Sequence, residues 1–572
     1  MGNRYSLNQR AFLPHDRKVE SWESVRPFFE ELAKRKIATP VHLERWLADR
    51  SALLSWMEEE LAWRYIRMNC DTTREELARH YEQFITGIEP HIHRYTHLFD
   101  KKLVNSPHLS RLDKKKYAVL IRAARKRMEL FREENIPLLA ELQVEEQEYG
   151  KMMSGLTVFY RNQEYTLQQA ANFLRDPDRE VRETVYRLIQ EQRISKAFPL
   201  QDLFTRLARK RYKIALNAGY RNFRDYQFDN LARFDYRPED CMQFHETVRH
   251  EVMPLVDRIL DRRKEQLRLN ELRPWDMDVD SAGKPPLVPA SGSDELLQKT
   301  IACFSQVREK YGSMLKQLAE RGFLDLDSRK GKAPGGFNYP LYESNVPFIF
   351  MNAAGNLRDL ETLVHEGGHA IHSIMTSRLE LIDFKELPAE VAELASMSME
   401  LISMEHWDVF FPDEGDLRRA RIHQLEGVVQ VLPWIAAVDH FQHWVYLNPE
   451  HQETERLTAW NRIYRRFSSD RINWSGLEEH FVYSWQRQLH IFELPFYYIE
   501  YGMAQLGAIA LWKHYKNDPE TTLDRFESAL RLGYTATIPE IYATAGIRFD
   551  FSPEYIRSLL DFVWKELQSL YL

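Results

Sequence analysis

The chain is poor in the features that would cross-link it, thread it through a bilayer or fix it to a polyanion. Its 572 residues contain three cysteines, Cys70, Cys241 and Cys303, widely spaced and without a CxxC pair, so a disulfide framework is not expected. No apolar run is long enough to suggest a transmembrane span, and Met1-Gly-Asn-Arg-Tyr-Ser6 lacks the apolar core of a secretion signal. Gly2 and Ser6 fit the loose myristoylation pattern, a match so short that chance accounts for it. The cytoplasm is the expected compartment, with no membrane partner. Net charge is −7 with both signs mixed, and the one basic cluster, Arg122 to Arg127, reads as a solvated helix face. Nucleic acid is therefore not an expected partner.

Glycine is also scarce, at 22 residues, while 44% of the chain is hydrophobic and 28% charged, which favours a helix-rich globular protein over a β sandwich. Lys114 to Met153 and Leu297 to Gly322 are long amphipathic stretches that support this. No fixed-period repeat or low-complexity tract is present. Arg273 to Ser293, rich in proline and small residues, is the clearest long loop, with Ser293 or Asp294 as cap of the helix after it.

What the chain does contain is His365-Glu366-Gly367-Gly368-His369. Histidines four apart share a helix face and can grip one metal ion, with Glu366 one position round, where it reaches a water on that metal. Asn356 and Asp359 fit the start of such a helix. Leu360, Leu363, Val364, Ile371, Ile374 and Met375 recur as an apolar stripe, and His365, His369 and His372 fall on the other side. Each helical glycine costs about 1 kcal/mol relative to alanine. A close neighbour is the expected reason for Gly367 and Gly368. A third metal ligand is needed, and the position of a metzincin histidine holds Met375. His372 reads as a wall residue. Pro388 is placed to open a helix over Ala389 to Met404, where Glu393 and Glu400 share a face and Glu390 lies close to it. Spacing leaves Glu390 and Glu393 both open as ligand.

The run Asp359 to His372 resembles the signature of the thimet oligopeptidase and oligoendopeptidase F family of zinc peptidases, nearest the oligoendopeptidase F branch. That family has a second motif in which the ligand glutamate is followed seven residues later by another, the form of Glu393 and Glu400. The resemblance thus implies one zinc ion on His365, His369 and Glu393, with Glu400 beside them. His490-Ile-Phe-Glu-Leu-Pro-Phe-Tyr-Tyr-Ile-Glu-Tyr501 is similar to the family segment that binds the oxyanion, which implies roles for His490, Tyr498 and Tyr501, with Tyr497 competing with Tyr498. The spacing from His490 to the tyrosines departs slightly from the family's.

Pro347 to Asn352 reads as a strand, which in zincins lines the cleft and pairs with extended peptides. Lys332 to Tyr339 before it is turn-rich, either a mobile loop over the cleft or an ordinary connection. Leu156 to Thr166 and Asp176 to Arg182 resemble the end of the family's amino-terminal domain, which implies an N-terminal helical domain over 1–190 and a zinc peptidase domain over 191–572. The implied fold is mainly α: a two-lobed helical zincin with a deep central channel and a small β element beside the active-site helix. The implied activity is zinc-dependent endopeptidase cleavage of short peptides, with Glu366 as base. The alternatives are a dipeptidyl carboxypeptidase-like zincin and a non-catalytic protein that binds zinc or peptide.

Overall fold

The structure is a computed structural model that describes residues 12–13 and 18–572; Met1 to Ser6, where the myristoylation pattern falls, lies outside the described residues. The described residues are 69% helical, in keeping with the composition. Four helices open it, Trp22–Lys34, Pro40–Cys70, Glu75–Gly87 and Glu89–Val104, the second capped by Thr39 with Pro40 in its first turn. They bury Phe29, Trp46 and Phe99 in one apolar cluster, and Leu381, Ile382 and Phe384 enter it from the segment between the two metal-site helices. Arg50 clamps that contact, donating to both carboxylate oxygens of Asp383 at 2.9 and 3.1 Å. A larger core extends from Ala62 to Leu567.

The two long amphipathic stretches each break into a pair of helices. Ala118–Leu130 and Asn135–Ser154 are separated where Arg132 donates to the carbonyls of Asn217 and Ala218, and where buried Asn135 donates to that of Ile214. Ser293–Val307 and Glu309–Glu320 part at Arg308, whose extended backbone sends the guanidinium to Glu520, Asp524 and Glu527. Neither Ser293 nor Asp294 caps the first of these. Gly292 is the cap residue and makes no side-chain bond, while Ser293 Oγ donates to Asp327 at 2.5 Å.

Among the described residues there are five short strands. β1 (Thr157–Tyr160) and β2 (Gln163–Thr166) form a hairpin whose turn residues Arg161 and Asn162 both have positive φ. β3 (Leu324–Asp327), β4 (Phe337–Leu341) and β5 (Val346–Ala353) form a sheet in the order β3-β5-β4. The expected strand at Pro347 to Asn352 is therefore present, but as β5 it is paired on both edges and has no free edge for a peptide. The free antiparallel edge belongs to β4, which takes up the second half of the turn-rich stretch. The first half is tied down, because buried Lys332 donates to the backbone of Asp325, Asp327 and Met351 and to the Asp325 carboxylate. This favours the ordinary connection over a mobile lid.

Two helices floor the cleft. The histidine helix, Leu357–Thr376, begins with a capping box between Asn356 and Asp359, whose carboxylate accepts from the backbone N–H groups of 354, 355 and 356. The carboxylate helix, Ala389–Met404, crosses it so closely that a Cβ on Gly368 would lie 2.6 Å from Ser396 Cα and 2.8 Å from Ala395 O. A Cβ on Gly367 would meet the Phe304 ring at 2.7 Å. Both glycines are therefore packing residues. Gly368→Ala is expected to lose stability by about 1–3 kcal/mol, because the overpacking outweighs the gain in helix propensity. Gly427→Ala, at a helical position with nothing within 4 Å, is expected to be neutral or stabilising. Thermal unfolding of the two variants side by side checks both signs.

Candidate metal and peptidase site

The histidine helix presents His365 and His369 to the carboxylate helix, and the three donor atoms of His365, His369 and Glu393 lie within 4.8 Å of one another. Glu393 Oε2 is 3.3 Å from His365 Nε2 and 3.4 Å from His369 Nε2. Ligands about 2.0–2.1 Å from a tetrahedral zinc are separated by roughly 3.3 Å, so these donors have the spacing of a shared cation. Two imidazoles and a carboxylate are also the donor set that zinc accepts in open sites. The residues fit the ion.

Contacts distant in sequence set the two glutamates apart. Glu390 is buried facing elsewhere, its carboxylate accepting from Tyr236 Oη at 2.6 Å, while Glu393 faces the histidines. Glu400, two turns on, lies 2.6 Å from His365 Nδ1 and accepts from Gln424 Nε2 at 3.0 Å. A carboxylate on the far nitrogen of a histidine fixes its tautomer and leaves Nε2 facing the cleft. Burial opposes charge on both His365 and Glu393, yet they hold one another ionised. The two carboxylates raise His365 well above its ordinary pKa, and the two histidines hold Glu393 well below the usual range.

Glu366 is 5% exposed, and its Oε2 has no hydrogen-bond partner among the described residues. Burial raises its pKa, while His365 and His369 pull the other way. An unpartnered buried carboxylate oxygen beside a metal triangle is a strong acceptor poised for a donor in the cleft. His372 lines the same cleft as a buried, neutral wall residue, its pKa depressed to about 3 by burial and by His369.

The cleft above the triangle is a cavity of about 640 Å³. It is lined by the β4 edge with the loop before it, from Gly335 to Asn338, and by His490, Tyr497 and Tyr501. The tyrosines come from a corner at Phe496, whose φ of +69° is strained for a residue with a side chain. Gln442 holds this corner by accepting from the Phe496 N–H at 2.6 Å, and Arg233 by donating to the Phe496 carbonyl. The helix Tyr498–Tyr515 then begins.

The three tyrosines have separate positions. Tyr497 Oη donates to Glu393 Oε1 at 2.7 Å, tying it to the carboxylate that faces the histidines. Tyr501 Oη faces the cleft 3.3 Å from His490 Nε2. Tyr498 stands behind them, edge-on to His490 and Tyr501 at 5.1 and 5.3 Å. All three phenols are kept protonated by burial, Tyr498 with a pKa of about 12 and the others well above the normal value. Burial lowers His490 to about 4, so its imidazole is neutral.

Two residues absent from the sequence reading decide which His490 nitrogen carries the proton. The Trp434 indole can only donate, and it donates to Gln488 Oε1 at 2.9 Å, so the Gln488 amide nitrogen must face His490 Nδ1, 2.7 Å away. Nδ1 is therefore the acceptor and Nε2 carries hydrogen toward Tyr501 and the cleft. Proximity of Gln488 to His490 in sequence was the one available signal; Trp434 lies 54 residues before its partner.

Comparison with known proteins identifies the family and the fold. The model of peptidase family M3 matches residues 172–560, and that of the peptidase M3 N-terminal domain matches 14–131. Oligopeptidase PepF of Bacillus subtilis (strain 168) is 25% identical over 421 residues, 70% of this chain and 58% of its own length. The chromosomal oligoendopeptidase F of Lactococcus lactis subsp. cremoris is 25% identical over 325 residues, covering 56% of this chain and 52% of its own. The chain thus aligns with little more than half the length of these relatives. Among solved structures, PZ peptidase A with an inhibitor superposes with a TM-score of 0.92 at 24% identity, over 98% of this chain and 99% of that one. Oligoendopeptidase-F from Enterococcus faecium follows the same fold at 0.66 and 16% identity, over 96% and 97%. No helix among the described residues is long and apolar enough to cross a membrane. With a mainly α fold and a family match over two thirds of its length, the chain belongs to peptidase family M3.

Proposed function

We propose that this chain is a zinc-dependent endopeptidase that hydrolyses internal bonds of short peptides. The observation that carries the reading is the donor triangle of His365, His369 and Glu393 beside the unpartnered carboxylate oxygen of Glu366, in a cavity bounded by a free strand edge. Those three residues would hold zinc, which would supply Lewis acidity to a substrate carbonyl and to the attacking water. Glu366 accepts the proton of the attacking water and passes it to the leaving amine. Tyr501 donates to the oxyanion, with the Nε2–H of His490 donating to the Tyr501 oxygen and Tyr498 buttressing both rings. The β4 edge from Phe337 to Leu341 pairs with the peptide main chain, which binds many sequences alike. Enclosure of the site favours short, flexible peptides over folded proteins. We retain the division into 1–190 and 191–572 as part of the same proposal.

The test is cleavage of a short internally quenched peptide with both ends blocked, with and without a chelator, the products read by mass spectrometry. Chelator-sensitive internal cuts are expected. Cutting only when the C-terminus is free, with dipeptides released, would replace this reading with a dipeptidyl carboxypeptidase. Binding without cutting, with zinc present, would replace it with a binding protein. Glu400→Gln tests the positioning of His365. It removes the charge at Nδ1 while keeping the shape, and zinc affinity is expected to fall about 10–100-fold, measured by competition with a chromogenic chelator.

A further inference from the structure

A second buried donor cluster lies away from the cleft, where two helices face one another. The Pro238–Thr247 helix presents Cys241 and His245, and the Glu414–Leu447 helix presents Asp439 and His443. Each pair is four apart and so shares a helix face. All four side chains are buried, at most 1% exposed, and the donor atoms of Cys241, Asp439 and His443 lie within 4.8 Å of one another.

The hydrogen bonding of this cluster is incomplete. His245 Nε2 is 2.8 Å from Asp439 Oδ2, an ordinary bond. His443 Nε2 is 3.2 Å from the same oxygen, yet neither of its ring nitrogens makes an aligned hydrogen bond, and Asp439 Oδ1 also has none. His245 Nδ1 is also without a partner among the described residues; buried polar atoms are rarely left so, and here three side chains of one cluster are. The 3.2 Å separation is close to the 3.3 and 3.4 Å between donors in the cleft triangle. Donors at this spacing that are not spent on bonds to each other are available to share one cation.

We infer that Cys241, Asp439 and His443 form a second, structural site for a divalent cation of the zinc class, with His245 bracing the Asp439 carboxylate. A thiolate and a carboxylate balance the two charges of the ion, and thiolate with imidazole suits zinc or cobalt over magnesium or calcium. Burial pushes the Cys241 thiol well above its ordinary pKa, so an ion bound there displaces the thiol proton; Arg233, which acts the other way, is itself paired with Glu500 at 2.6 Å. The surroundings are dry: the Phe228 and Phe496 rings pack on His443 at 5.9 and 5.2 Å. The site also adjoins function, since Phe496 is the strained corner before the tyrosines and Gln442, next to His443, holds it.

The test counts ions in the full-length protein. Purified protein is reconstituted with zinc or cobalt, dialysed, and its metal measured by mass spectrometry. Two ions per chain are expected, and one in His369→Ala, which removes a cleft ligand. The cobalt form is expected to show thiolate-to-cobalt charge-transfer absorption in the wild type and in His369→Ala, because the cleft set contains no sulfur. Cys241→Ser abolishes the band, and His443→Asn, which keeps the thiol, weakens it. Because the band is read in the wild type, a variant that fails to fold does not decide the outcome. One ion per chain and no charge-transfer band in the wild type would overturn the inference, as would a band that survives Cys241→Ser and so belongs to Cys70 or Cys303. Neither outcome touches the peptidase reading, whose chelator test concerns the cleft.

Discussion

Glu366→Gln leaves the metal content of the protein unchanged and lowers kcat by on the order of 10²–10⁴-fold, the contribution of a positioned general base. Glutamine has nearly the same shape, so the histidine helix keeps its packing and His365 and His369 keep their donor positions. What is lost is the ability to take a proton. In the folded chain Glu366 Oε2 is buried without a partner, so its basicity is not spent on a structural bond. The amide can still accept a hydrogen bond from water through its oxygen, so KM moves little while kcat falls. The two quantities to measure are zinc per chain and kcat on the blocked peptide. A zinc-loaded variant with full turnover would remove Glu366 from the chemistry and leave the metal site without its base.

How much of this was legible in the sequence depended on whether the determining contacts were local. The histidine helix, its Asn356 cap and the reason for its two glycines could all be read within twenty residues, because capping, periodicity and propensity act over one or two turns. The carboxylate helix could be placed at Ala389 for the same reason. Choosing Glu393 over Glu390 could not be done from spacing, since the residue that engages Glu390, Tyr236, lies 154 positions away. The helix breaks at Arg132 and Arg308 were hidden similarly. The amphipathic pattern runs through both, and each break is fixed by partners on other helices. β5 was recognisable as an apolar run, but its position in the middle of the sheet was not, because β3 and β4 are short and carry polar residues that give no strand signal. The arginine, tryptophan and glutamines that hold the tyrosine corner are likewise ordinary residues until the chain folds.

That corner yields the second large effect. Tyr501→Phe is expected to lower kcat on the blocked peptide by about 10²–10³-fold with zinc content unchanged, the usual cost of one oxyanion donor in a dry site. The reasoning follows the direction of the protons. Trp434 orients Gln488, Gln488 keeps Nδ1 of His490 unprotonated, and Nε2–H is thereby directed toward the Tyr501 oxygen. With that oxygen accepting from His490, the Tyr501 proton is free to point into the cleft, where charge develops. Phenylalanine preserves the ring contacts with His490 and Tyr498 and removes the hydroxyl, which is both the donor to the oxyanion and the acceptor for His490 Nε2–H. Tyr497→Phe acts on a different quantity. It strips a hydrogen bond from Glu393, so zinc affinity falls and, once zinc is saturating, kcat recovers. Tyr498→Phe, remote from the cleft wall, has the smallest effect of the three. Gln488→Leu leaves Tyr501 in place but releases the His490 tautomer, so it reproduces part of the Tyr501→Phe loss and adds little when the two are combined. Full additivity in that double variant would mean that the two residues act separately, and the relay through His490 would then be wrong.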